Sequence, residues 1–299
     1  MPAFTCTANE QKQKMRAVPV CKMQEAAWHT ACFAGARCAL CTRRRVLKGH
    51  RLHPALTVPD APSVESFRMS HVFPPPRVPC VPVQGIQQTF PVHRIYCVGR
   101  NYAEHAKEMG FTGREPPFFF MKPADAVHAV SEGATGTLPY PSLTTNLHPE
   151  IELVVAIGKG GKCIAEADAA SHIFGYAVGL DMTRRDLQGD MKKQGRPWCI
   201  GKGFDHSAPI GPITPAAQAP GAEHAAIRLQ VNGEERQRSS TAQLIWSVAE
   251  TIAHLSAAWE LQPGDLIFTG TPEGVAAVQR GDRLECSVEG LVGLKLEVA

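Results

Sequence analysis

Glu150 and Glu152 are the residues of this chain whose spacing most directly implies chemistry. They stand in His148-Pro149-Glu150-Ile151-Glu152-Leu153-Val154-Val155, an apolar run of strand character from 150 to 157. Residues i and i+2 of a strand share a face, so the two carboxylates project together while Ile151, Leu153 and Val155 lie on the other side. Such a pair repels itself unless positive charge sits between, and a divalent cation is the economical source. A solvated strand edge is the other reading of the same spacing. Asp181 ends a second apolar strand, Phe174-Gly-Tyr-Ala-Val-Gly-Leu180, and offers a third carboxylate. Two Glu and one Asp form a hard, oxygen-only, ligand-poor set. That suits one Mg2+ or Mn2+, with Ca2+ admissible, and leaves positions for water and substrate.

His105 and Glu108 are spaced i, i+3 on a short predicted helix, so their side chains can meet. A His held by a carboxylate is a usable general base near neutral pH, and a surface pair is the alternative. A helix of this length is marginal alone, and so could order over substrate as a lid. A polar and cationic group follows: Arg184, Arg185, Gln188, Lys192, Lys193, Arg196 and Lys202. Most of these read as a solvated face. Lys202 differs, because Gly201 and Gly203 flank it and let backbone approach a ligand. Gly270-Thr271-Pro272-Glu273-Gly274 offers a hydroxyl and backbone N–H groups to an anion. A Walker loop and a Gly-x-Ser-x-Gly elbow are both absent.

The elements that must position these groups are mostly short strands. Strands are expected at 95–98, 118–121, 150–157, 173–180, 227–231, 266–268, 283–288 and 294–298. Asn232-Gly233 gives the strongest hairpin signal, and Gly158-Lys-Gly-Gly161 reads as a hairpin turn. Helices are expected from an Asn101 cap to Gly110, at 165–172, at 186–194 and at 244–255. No regular βαβ rhythm appears, so the fold expected is α+β, with a mixed β-roll or sandwich-like core and short helices.

The chain has 299 residues and 44% hydrophobic composition, which is ordinary for a globular protein. No run reaches the roughly 18 apolar residues of a membrane helix. Charge is uneven: residues 1–68 carry 11 Lys/Arg against 4 Asp/Glu, and the remainder carries 20 against 24. The mildly acidic remainder gives no footprint for nucleic acid. Residues 1–68 read as a poorly structured basic leader. Met69 is the expected natural start, and organelle targeting is the alternative use of such a leader. Cys38-Ala-Leu-Cys41 has no second ligand pair for a zinc site beyond His50 and His53. Residues 69–90 are proline-rich and expected to be extended, with the catalytic domain over 91–299. The five cysteines beyond residue 68 (Cys80, Cys97, Cys163, Cys199 and Cys286) show no framework spacing, and their odd count fits reduced thiols and a cytoplasmic location.

Taken in order, these segments resemble the fumarylacetoacetate hydrolase family over about residues 92–298. The resemblance is carried by Val98-Gly-Arg-Asn-Tyr-Ala103 leading to His105, Lys122-Pro123 and Glu150-x-Glu152. It continues through Leu180-Asp181-Met-Thr-Arg-Arg-Asp186, Trp198 to Pro209, and Phe268-Thr-Gly-Thr-Pro272. It implies the C-terminal-domain fold of that family and a homodimer. It implies Glu150, Glu152 and Asp181 as metal ligands, and His105 with Glu108 as the water-activating pair. Lys202 and Gln188 match positions near the attacking water and oxyanion, while Arg185, Thr271 and Lys122 match substrate contacts. The implied reaction is metal-dependent hydrolysis of the carbon–carbon bond of a 2,4-diketo acid. The stretches 94–100, 118–122 and 203–209 look most like members that cleave fumarylpyruvate to fumarate and pyruvate. Arg100 or Arg114 would hold the distal carboxylate. Acylpyruvate hydrolysis, oxaloacetate decarboxylation or 2-hydroxy-dienoate isomerisation would use the same site, and a non-catalytic metal-dependent binding protein would lack the base.

Overall fold

A strand that is apolar at every position but one must be covered on both faces, and Ile151–Ile157 is buried throughout. In the computed structural model, which describes residues 71–104 and 114–299, this strand lies mid-sheet. The expectations for residues 1–68 and for Met69 fall outside the described residues, and so do those for His105 and Glu108. The central path of the larger sheet runs Phe118–Lys122, Ile95–Gly99, Leu266–Phe268, Ile151–Ile157, Ile173–Leu180, Ala208–Ile210, Val127–Ala129. Leu266–Phe268 pairs parallel with Ile95–Gly99 and antiparallel with Ile151–Ile157, so the sheet is mixed. A second, five-stranded sheet orders Glu234–Ser240, Ala226–Val231, Arg283–Val288, Leu294–Val298 and Thr135–Leu138.

The period of two distributes the core. Ile151, Leu153, Val155 and Ile157 face the apolar side chains of the second sheet, among them Ile227, Leu229, Leu284 and Leu296. Val154 and Ala156 face the other way, into a cluster with Ile95, Cys97, Ala177 and Phe268. Glu152 shares their parity, so its carboxylate enters the inner side of the curled larger sheet. The solvated-edge reading of the Glu pair is therefore overturned, since Glu150 is 5% exposed and Glu152 is 2% exposed.

The fold is the expected α+β type, with local differences. Asn232 and Gly233 take left-handed φ values of 53° and 83° and close the hairpin of Ala226–Val231 with Glu234–Ser240. Gly158–Gly161 makes no hairpin turn: Gly161 exchanges backbone hydrogen bonds with Leu261, and 3-10 turns over Glu166–His172 precede the return strand. The helix expected over 244–255 begins later, at Val248–Ala258. Ser247 caps it, and Glu250 completes the capping box. Leu244 instead bridges Tyr102. Within the proline-rich stretch, Cys80–Pro82 pairs with Thr89–Pro91, and Val81 and Phe90 join the core. Asn101 does not serve as a free cap. Its amide donates to the Thr269 and Trp246 carbonyls, and its oxygen accepts from the Trp246 N–H. No helix among the described residues is long and apolar enough to cross a membrane.

Candidate metal centre

Two neighbouring antiparallel strands bring the acidic groups together. Ile151 pairs with Leu180, so Glu150 and Asp181 meet at the adjoining strand ends, where the Asp181 N–H donates to the Glu150 carbonyl at 2.9 Å. Glu152 lies one pleat further in. Glu150, Glu152 and Asp181 are all buried, and each offers an oxygen within 4.8 Å of the others. Carboxylates this close and this dry require compensating charge.

Part of that charge comes from the chain. The Lys202 ammonium bridges Glu150 Oε2 at 2.7 Å and Asp181 Oδ2 at 2.5 Å. Arg185 pairs with Glu150 Oε1 and donates to Gln188 Oε1 at 2.6 Å. Burial works against ionising Glu150, but Lys202 and Arg185 outweigh it and hold its pKa well below the usual range. Burial also opposes the Lys202 ammonium, and Asp181 with Glu150 raises its pKa nonetheless. Glu152 has no comparable partner. Burial pushes its pKa well up, Asp181 and Glu150 push it further, and the Gly270 N–H donating to Oε2 at 2.8 Å offsets only part of this. Burial and the Arg185 charge push His148 down to about 4, so its Nδ1 is free to accept from Arg185 Nε at 3.4 Å.

Lys122 is set behind this cluster rather than in the pocket. Its ammonium donates to the Met182 and Lys202 carbonyls and lies 2.8 Å from Asp181 Oδ1, off the hydrogen-bonding direction. Asp181 Oδ1 is thus a buried carboxylate oxygen with no hydrogen bond. That oxygen, without a hydrogen bond though Lys122 lies beside it, the raised pKa of Glu152 and the all-oxygen donor set fit a hard divalent cation.

Glu150 and Asp181 open onto a pocket lined by Arg100, Phe118, Phe120, Arg185, Gln188, Trp198 and Thr271. Trp198 stands edge-on to Phe118 with ring centroids 5.4 Å apart. Arg100 enters it from a left-handed backbone, φ 57°, rare for a bulky residue. Arg114, the other arginine considered for a distal carboxylate, is taken up elsewhere: it pairs with Glu250 and stacks on Trp246, 4.0 Å from the ring centre. Gly201 serves helix packing rather than ligand approach. A Cβ there would lie 2.8 Å from the Gln188 backbone, so the turn Cys199–Lys202 rests directly on the helix Arg185–Lys193. That contact is what delivers Lys202 to the acids. Nothing in its sequence context marks Gln237, the buried member of a polar strand, yet its carboxamide joins the Glu150–Glu152 strand to the Thr271 loop.

The fumarylacetoacetate hydrolase C-terminal profile matches residues 94–299. The chain belongs to the fumarylacetoacetate hydrolase family. Among solved structures it is similar to the fumarylpyruvate hydrolase of Pseudomonas aeruginosa in complex with Mn2+ and pyruvate. The identity is 61% and the TM-score 0.75, covering 77% of this chain and 99% of that one. Among curated relatives it is 41% identical to the mitochondrial oxaloacetate tautomerase of Rattus norvegicus, over 68% of this chain and 90% of the relative. It is 41% identical to the oxaloacetate tautomerase of Escherichia coli (strain K12), over 69% and 93%. This member of the family is therefore an enzyme of a group that includes hydrolases and tautomerases.

The raised Glu152 pKa has a measurable consequence. A carboxyl that holds its proton in the metal-free protein must release it when a cation enters, so affinity rises with pH through the folded-state pKa. Titration calorimetry of Mn2+ binding in two buffers of different ionisation enthalpy should register proton release, increasing as pH falls. Absence of proton release across the whole pH series would contradict this.

Proposed function

We propose that this chain hydrolyses the carbon–carbon bond of a 2,4-diketo acid, fumarylpyruvate, to fumarate and pyruvate. The observation that carries the reading is the buried triad of carboxylates within 4.8 Å, two of which, Glu150 and Asp181, line a pocket that also presents Arg185, Gln188 and Thr271. The 61% identity to a fumarylpyruvate hydrolase supports the choice of substrate. Glu150, Glu152 and Asp181 would hold one divalent cation, Mg2+ or Mn2+, which when bound supplies Lewis-acid polarisation of a 2-keto acid.

The remaining steps fall to the chain's own side chains. Arg185 and Thr271 orient the substrate carboxylate. His105, held by Glu108, takes a proton from water, and the hydroxide adds to the C4 carbonyl. Lys202 and Gln188 face the oxyanion that forms there. The C3–C4 bond then breaks, its electron pair is delocalised onto the 2-keto oxygen, and C3 is reprotonated. Arg100, on the pocket wall, takes the distal carboxylate.

The 41% identity to two oxaloacetate tautomerases favours a second reading, in which the same carboxylate clamp serves proton transfer alone. The two readings part on products. Purified protein is incubated with fumarylpyruvate under Mg2+, Mn2+ or EDTA, and separately with enol oxaloacetate. Equimolar fumarate and pyruvate, lost in EDTA, are expected, and keto–enol conversion without cleavage would replace hydrolysis by tautomerisation. In the same assay His105→Ala should lose about 10²–10⁴-fold in turnover, as for removal of a general base. It should still bind Mn2+. Turnover within tenfold of the parent would take the base role from His105.

A further inference from the structure

Gln237 is buried to 1% exposure at the edge of the second sheet, in a strand whose neighbours point to solvent. A bulge lies in that pairing: Leu229 stands opposite Gln237 and Gln230 opposite Glu235, so Arg236 is the extra residue. Gly274 approaches this backbone so closely that a Cβ would lie 2.2 Å from the Arg236 carbonyl. The bulge thus presses the 271–274 loop against the strand and aims Gln237 into the acidic site.

The partners of its carboxamide leave one orientation. The Ile151 N–H, which can only donate, lies 3.0 Å from Oε1. The Pro272 carbonyl, which can only accept, lies 2.8 Å from Nε2. A flipped amide would set donor against donor and acceptor against acceptor. Nε2 also lies 2.9 Å from Thr271 Oγ1, and with Nε2 fixed as a donor that hydroxyl oxygen must accept. The Thr271 hydrogen is then left to donate elsewhere. No acceptor among the described residues takes it, and Thr271 lines the pocket beside Glu150, Asp181 and Arg185.

We infer that Gln237 is a positioning residue that leaves the Thr271 hydroxyl its hydrogen to donate into the pocket, and so favours ligands that present an ionised carboxylate beside the acidic triad. This rests on the reading of the pocket as a keto-acid site. The same amide holds the peptide between Glu150 and Ile151, so one side chain sets the carboxylate strand and the anion donor in fixed relation. An ionised carboxylate only accepts, and so matches the hydrogen that the Thr271 hydroxyl has left to donate.

The test uses the full chain loaded with Mn2+ and oxalate as the binding probe. Titration calorimetry compares the parent with Gln237→Glu, Thr271→Val and the double variant. Gln237→Glu turns the donor into an acceptor and lets the Thr271 hydroxyl point back to it. Oxalate binding should weaken at least tenfold in Gln237→Glu, yet change less than twofold when the same substitution is made in Thr271→Val. Mn2+ affinity should stay within threefold throughout. If Gln237→Glu does not fold, Gln237→Met keeps the length, removes the donor and is read by the same cycle. Undiminished oxalate binding in the Gln237 variants overturns the inference, and so does an equal loss in the Thr271→Val background, the mark of a merely structural role. A parent that binds Mn2+ but no oxalate overturns both the keto-acid reading and the anion-selecting role.

Discussion

Asp181→Ala is expected to abolish metal binding and activity together. Asp181 takes part in two balances at once. Its Oδ2 meets the Lys202 ammonium at 2.5 Å, and its Oδ1 is the buried oxygen without a hydrogen bond. Removing it leaves two of the three carboxylates that would hold the cation. Loss of several kcal/mol of Lewis-acid stabilisation corresponds to about 10³-fold or more in kcat/KM, at 1.36 kcal/mol per decade. The same change strips Lys122 of its acidic neighbour at 2.8 Å, so Asp181→Asn, which keeps the volume, is the companion variant. Metal analysis of gel-filtered protein checks the prediction. One Mn2+ per chain retained in both variants would remove Asp181 from the ligand set, and Glu150→Ala is judged by the same measure.

Lys202→Met should act in the opposite direction on the cation while also losing turnover. The Lys202 ammonium is 3% exposed and neutralises Glu150 and Asp181 together. Breaking a buried ionic cluster by removing one partner costs about 3–5 kcal/mol, because the remaining charges are left uncompensated. Urea unfolding in EDTA should show that loss. In the parent, the depressed Glu150 pKa contributes stability that is present above the ordinary carboxylate range and is lost as pH falls through the folded-state value. Without Lys202 that contribution shrinks, so the deficit should be largest near neutral pH and narrow in acid. Mn2+ should restore more stability to the variant than to the parent, since the cation then carries the charge the ammonium supplied. Turnover should fall by about 10²–10³-fold, the scale of removing one oxyanion donor. Equal stability in EDTA would mean that Lys202 does not neutralise the site.

The acidic pair was legible because two constraints coincide. A strand has a period of two, and hard cations take carboxylates, so Glu150-x-Glu152 could be read from one local segment. Asp181 was legible as the polar end of an apolar strand, and Asn232-Gly233 as the turn that allows left-handed φ at two successive residues. The misreadings share a cause. Lys122 matches a substrate contact by resemblance, yet its strand carries the ammonium beneath Asp181. Asn101 looks like a helix cap, but its amide is spent on Thr269 and Trp246, well over a hundred residues away. Gly201 beside Lys202 suggests room for a ligand, whereas that room is filled by Gln188.

Local order therefore specified the ligand type, the family motifs and most strands, because each depends on neighbours within a few residues. Charge balance, the orientation of Thr271 and the role of Gln237 emerged from folding. Glu150 finds Lys202 and Arg185, and Gln237 finds Ile151 and Pro272, through contacts that join distant segments. A buried polar atom must be satisfied by whatever the fold brings within about 3 Å, and chain spacing carries no record of that distance.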